Sequence, residues 1–273
     1  RKESSAASDV YKRQIYTLSF EEYLAAADIE LFRMYLLIGN SVFEDKNYYE
    51  QLKQLYNIYC QIGGYPAVVE KYLSSGSLEI ATKELRRIIE TFLNESMRYF
   101  TDILDVSVFA DIFLNICRIL AREKKGLEQD SIGEELQKLV VKDSTSNISK
   151  ATVVRAINWL YHSGIIGFCG KIVELDILDF KPGRRCYFMD LGIANFYMTQ
   201  AGLDKASING TLNENYVYIN LVKRLDFPQQ IAFETPAFAT YKSGEIDFYV
   251  QSLKERTRYV IEAVSYTHLT LPT

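Results

Sequence analysis

The stretch SKATVVRAINWLYHSGII, residues 149–166, decides the fold class because its hydrophobic period changes on the way through. Val153, Ile157 and Leu160 recur at the spacing of one helix face. Beyond His162-Ser163-Gly164 the apolar residues fall into short runs, Ile165–Phe168, Ile172–Leu175 and Arg185–Asp190, around the turn residues Lys181-Pro182-Gly183. A helix that gives way to short strands within one stretch places the chain in the α+β class.

Toward the N-terminus, two more helices precede this one. Ser131–Leu139 is short, and Val108–Glu123 carries the stripe Phe109, Ile112, Phe113, Ile116 and Leu120. Three helices followed by a hairpin is the order of a winged helix-turn-helix, here spanning residues 106–195. The second helix of its pair, Ile148–Leu160, then turns Val153, Ile157 and Leu160 inward and leaves Lys150, Arg155 and Asn158 near the outer face. Two readings of that face stay open. Lys150 and Arg155 can meet DNA phosphates, or they form a solvated face of a packing module, since phosphate binding normally gathers several cations.

Residues 15–105 read as a helical lid or linker. Phe20, Tyr23 and Leu24, then Leu31, Met34, Tyr35 and Ile38, then Leu52, Leu55, Tyr56 and Tyr59 keep helical spacing. Ser19 and Glu22 form a capping-box pattern at the first helix. Gly63-Gly64-Tyr65-Pro66 interrupts the run as a hinge, with helices Ala67–Tyr72 and Leu78 to about Phe100 beyond it.

Residues 205–263 open a small α/β unit: an amphipathic helix Leu212–Leu225, then strands Ile231–Phe238, Ile246–Val250 and Tyr259–Ala263, with a turn at Lys242-Ser243-Gly244. Glu214 on the helix, Asp247 and Glu262 stand where a metal-dependent nuclease of the restriction-endonuclease class holds its catalytic acids. In the D…ExK pattern of that class an Asp and a Glu on neighbouring strands, here Asp247 and Glu262, bind a hard divalent ion such as magnesium, and a lysine stabilises the charge. That lysine would fall two residues after Glu262, where Val264 stands. The alternative is that Asp247 and Glu262 are ordinary strand-end acids facing solvent.

Both ends have a separate explanation. SSAASDVYKRQ, residues 4–14, is encoded by a common transposon-type sequencing adapter, and VSYTHLTLPT, residues 264–273, by its reverse complement in another frame. Residues 1–14 and 264–273 are therefore expected to be adapter-derived tails without a packed role, and the gene is expected to continue past both ends. The chain has 31 basic and 35 acidic residues; without Arg1, Lys2, Lys12, Arg13, Glu3 and Asp9 these become 27 and 33, a net charge of −6. A mildly acidic chain argues against binding nucleic acid over its whole surface and leaves a local basic face open. Cys60, Cys117, Cys169 and Cys186 contain no CxxC pair, and His162 is the one histidine outside the tails, so a zinc site lacks clustered ligands. No Ser-His-Asp arrangement and no GxxxxGK[ST] phosphate loop is present, and no apolar run is long enough to cross a bilayer. The expectation is a soluble, cytoplasmic protein.

LSFEEYL at 18–24, GGYP at 63–66, SKATVVRAINWLYHSGII at 149–166, RCYFMDLGI at 185–193, NENYV at 213–217, GEIDFYV at 244–250 and VIEA at 260–263 together resemble one family. They are similar to the bacterial and archaeal AAA-type ATP-binding proteins that carry a C-terminal domain of unknown function 4143. The resemblance implies a P-loop ATPase core upstream of Ile15, using ATP and magnesium in the full-length parent, with neither bound tightly by this fragment. It implies a lid or linker around GGYP, a winged helix, and a truncated restriction-endonuclease-like domain whose acids are Glu214, Asp247 and Glu262. Three functions follow: an ATPase-coupled, DNA-associated or regulatory module; a non-catalytic adaptor for a protein partner; or a magnesium-dependent nuclease in the full-length protein. None of them involves a membrane.

Overall fold

The computed structural model describes residues 16–38, 46–100, 107–123, 132–143, 149–172, 180–225, 235–241 and 244–263. The tails assigned to the adapter, and Val264 with them, lie outside the described residues. Within these residues the chain is α+β, with ten helices and one five-stranded mixed sheet. No helix among them is long and apolar enough to cross a membrane.

Local chemistry starts the helices where the sequence says it should. In α1 (Phe20–Ala27) the Ser19 hydroxyl accepts from Glu22 N while Glu22 reaches back to Ser19 N at 2.7 Å, completing the capping box. After α2 (Ile29–Ile38) and α3 (Lys46–Ile62), Gly63 and Gly64 turn the chain and Pro66 opens α4 (Pro66–Ser75). The long α5 (Leu78–Tyr99), α6 (Ser107–Glu123), α7 (Ile132–Asp143) and α8 (Lys150–His162) follow, the last capped by Ser149. Val153, Ile157 and Leu160 are buried, while Lys150, Arg155 and Asn158 are exposed, so the two faces of α8 are as expected. Trp159 of α8 stacks on Phe92 of α5 at 5.0 Å and meets Phe100 and Phe109 edge-on. The linker helices and the three-helix segment therefore share one core.

The strands differ more from expectation. Ile165–Phe168 and the start of Ile172–Leu175 merge into β1 (Ile166–Ile172); residues 173–175 lie outside the described residues. Lys181-Pro182-Gly183 is not a turn but part of β2 (Phe180–Phe188), antiparallel to β1. Cys169 faces Arg185 and Lys171 faces Lys181, so the β2 residues between them bulge out. An edge strand tolerates proline at such a bulge, because the missing N–H breaks no ladder bond there.

A helix not expected from the sequence, α9 (Leu191–Gln200), comes next. Then α10 (Lys205–Arg224) starts well before Leu212 because Asp204 caps it, accepting from Ala206 and Ser207 N at 3.0 Å. The strand expected over Ile231–Phe238 appears as β3 (Ala237–Tyr241), with residues 231–234 outside the described residues. β4 (Gly244–Ser252) and β5 (Thr257–Ile261) complete the order β2-β1-β3-β4-β5. The β1–β3 pair is parallel and every other pair antiparallel. The hairpin of the middle segment and the strands of the last thus form one continuous sheet, and α10 lies against its β2 end.

Candidate functional site

The segment NENYV places its acid and its second amide on the buried side of α10. Asn215 accepts from Phe188 N at 2.9 Å and donates to Phe188 O at 2.7 Å, which fixes α10 on β2 through both polar atoms of its side chain. One residue earlier, Glu214 receives the Tyr187 hydroxyl on Oε1 and lies 3.6 Å from the Arg185 guanidinium. Both partners lie on β2, and sequence reasoning assigned neither a role. Arg185 is 4 % exposed; it also bonds Glu245 at 2.5 Å, and its guanidinium sits 3.7 Å from the centre of the Phe238 ring. A guanidinium does not shed its charge on burial, so it must be paired, and here two carboxylates and an aromatic face surround it.

Asp247 stands beside this cluster because of a bulge. Ala237 faces Tyr249 and Ala239 faces Ile246, which leaves Asp247 and Phe248 of β4 opposite Phe238 alone. On the other side Phe248 faces Ile261, so the register carries Asp247 opposite Glu262, just past the end of β5. The expected adjacency of their strands is present. Asp247 is half-buried and accepts from Ala263 N at 2.7 Å, while Glu262 is exposed. Burial raises the Asp247 carboxyl above the usual aspartate range, and the nearby charges of Glu214, Glu262 and Glu245 raise it further against the Ala263 hydrogen bond.

The three acids are thus near enough to interact, but they do not converge on one point. Among the described residues no group of three or more His, Cys, Asp or Glu side chains is gathered as a metal ion requires. A cavity of about 290 Å³ between the α8–β1 turn and α10 is lined by Tyr16, Tyr161, His162, Tyr218, Val222 and Thr235 among others, and by none of the three acids. The four cysteines are buried free thiols, and burial pushes that of Cys60 up to about 12. On α8, the guanidinium of the exposed Arg155 lies 5.9 Å from the centre of the Phe100 ring, within reach of a cation–π contact.

A second buried acid has no part in the nuclease pattern. Asp190 accepts from Gly192 N at 2.9 Å and Ile193 N at 3.2 Å, which caps α9, and from Gly64 N at 2.8 Å. Burial raises its carboxyl above the usual range against the three backbone hydrogen bonds and the Lys223 charge. A Cβ on Gly63 would stand 2.1 Å from Asp190 Oδ1, one on Gly64 2.1 Å from Leu18 O, and one on Gly192 2.4 Å from Ile62 O. The GGYP and MDLGI segments are therefore two halves of one joint that only glycine backbone can close. The N-terminal segment enters the same joint: Leu18 N donates to Gly64 O at 2.7 Å, Tyr59 donates to Leu18 O, and Lys223 of α10 donates to Thr17 O at 2.7 Å.

Comparison with known proteins yields one match: a family model described as a domain of unknown function, DUF8612, covers residues 53–206, more than half of the chain. No curated protein and no solved structure matches.

Proposed function

The chain belongs to the DUF8612 family, a domain of unknown function, and from the resemblance of its sequence motifs we propose that it is the regulatory C-terminal part of an AAA-type ATP-binding protein. In this reading residues 15–105 are the lid or linker, 106–195 a winged helix and 205–263 a nuclease-like unit that does not cleave. The observation that carries the reading is the joint at Asp190. There the segment nearest the proposed ATPase core, Thr17-Leu18, is hydrogen-bonded to GGYP, which is bonded to the cap of α9, while Lys223 ties α10 to the same strand of chain. A displacement at Thr17 therefore reaches the start of α9 and the end of α10 through hydrogen bonds in a closely packed core. ATP and magnesium act in the upstream core, and this part reads their state.

Non-cleavage is supported by the engagement of the acids. A magnesium ion needs carboxylate oxygens near 2.0–2.1 Å around one point, whereas Glu214 is turned onto Arg185 and Tyr187, and Asp247 onto Ala263 N. These residues do not fit the metal that the resemblance implies. The exposed Lys150, Arg155 and Asn158 supply the face on which DNA or a protein partner docks.

The test is to restore the coding sequence upstream of Ile15 and follow amide hydrogen exchange at Gly64 and Gly192 with and without an ATP analogue. Nucleotide-dependent protection at both amides is the expected result. Protection that ignores nucleotide at both would sink the coupling, and magnesium-dependent cleavage abolished by Asp247→Ala would establish the nuclease instead.

A further inference from the structure

We infer that Arg185 is the resident cation of the acid cluster, so that Glu214 and Glu245 are held together without a divalent metal. The inference does not depend on coupling to an ATPase.

It rests on placement and on the chemistry of guanidinium. Arg185 projects from β2 into the core and is enclosed by Glu245 at 2.5 Å, Glu214 at 3.6 Å and the Phe238 ring at 3.7 Å. Its planar fork can serve two carboxylates at once, and the stack on Phe238 fixes the plane of that fork. Tyr187, two residues along the same strand, donates to the same Glu214 oxygen. The hydroxyl of Tyr187 and the charge of Arg185 thus occupy a carboxylate that a metal would need for itself. A divalent ion at Glu214 would also stand against the permanent positive charge of Arg185, in surroundings where charge is poorly screened.

Asp247 is the neighbour of this ion-paired site, and the charges of Glu214 and Glu245 still act on it. Its own partner is the backbone N–H of Ala263, at 2.7 Å. The β4 bulge sets Asp247 and Phe248 opposite Phe238, the residue whose ring covers the Arg185 guanidinium. A lysine at position 185 would keep the charge but lose the fork and the ring stack, so the cluster selects arginine.

The experiment uses the 273-residue chain. Thermal unfolding is measured in EDTA and in millimolar MnCl2 or MgCl2, and manganese binding is followed by calorimetry, for the wild type, Arg185→Met, Arg185→Lys and Asp247→Asn. For the wild type we expect the same Tm in EDTA and metal, and no saturable manganese binding. Arg185→Met should melt roughly 10 °C lower in EDTA, as expected for a chain of this size left with buried unpaired carboxylates, and manganese should restore part of that loss. If Arg185→Met does not fold, Arg185→Lys should fold with a smaller drop, because it retains the charge. Stoichiometric manganese binding by the wild type that disappears in Asp247→Asn would overturn the inference. So would an Arg185→Met or Arg185→Lys protein as stable in EDTA as the wild type.

Discussion

Asp190 and Glu214 are two buried carboxylates on either side of the same strand end, and they are kept by opposite means. Asp190 is held by backbone: three amide N–H groups, from Gly64, Gly192 and Ile193, point at its two oxygens. Glu214 is held by side chains, Tyr187 and Arg185. A carboxylate held by backbone depends on where the chain runs, so glycine is needed where the segments close on each other and the carboxylate belongs to the fold. One held by side chains depends on two residue identities, which substitution can rewrite without moving the backbone. The first is the place where the segments are joined, and the second is the place where chemistry can be gained or lost.

The sharpest way to break this contrast is at the glycines. Gly63 has φ +73° and no room for a Cβ against Asp190. Gly63→Ala should therefore cost roughly 3 kcal/mol or more, from the left-handed backbone and the clash together. Urea unfolding measures it; a loss below about 1 kcal/mol, the scale of an ordinary propensity change, would mean the joint can open to make room.

Asp190→Asn is next, at roughly 2–3 kcal/mol, because the one amide oxygen can face Gly64 or α9 but not both, and the NH2 then meets an N–H. This pair of proteins also tests charge. Burial raises the Asp190 carboxyl, so the folded state binds its proton more tightly than the unfolded chain. The stability contributed by that proton is complete below the unfolded aspartate value of about 3.9 and is lost as pH rises through the higher folded value. The advantage of wild type over Asp190→Asn should grow as pH is lowered from 7 toward 4; an advantage that shrinks over that range would place the folded value below the unfolded one.

On the side-chain-held acid the expected loss is smaller. Tyr187→Phe removes the hydroxyl that donates to Glu214 but leaves Arg185, so roughly 1.5–2 kcal/mol should go, as for a hydrogen bond to a charged group. A neutral result would mean that Arg185 alone satisfies Glu214. The smallest effect belongs to the exposed face of α8: Lys150→Ala with Arg155→Ala should change stability by about 0.5 kcal/mol or less. The same double variant should flatten the salt dependence of DNA binding by the restored protein, and an unchanged slope would remove both residues from any phosphate contact.

The helices were legible because their signals are local. The capping box of Ser19 and Glu22, Pro66 at the start of α4, and the Val153, Ile157, Leu160 stripe each act within a turn or two of chain. α9 was not legible, since nearly all of Leu191–Met198 is apolar or buried and no stripe marks a face. The proline in β2 misled for a related reason: a turn signal is local, and its cancellation by an edge-strand bulge is not. At the candidate site the sequence offered Glu214, Asp247 and Glu262 as acids, but not Arg185 and Tyr187, the partners of Glu214.

The sequence alone determined most of the helices, α9 excepted, the change from helix to strand after α8, and the presence of acids at Glu214, Asp247 and Glu262, because propensity, capping and periodicity are properties of neighbours in the chain. Only the tertiary structure decided that β1 runs parallel to β3, that Gly64 closes on Asp190 across 126 positions, and that Arg185 meets Glu245 across 60. Such pairings are set by the burial of charge and by the close approach of backbones. Those energies arise only when distant segments pack together, and no local pattern records them.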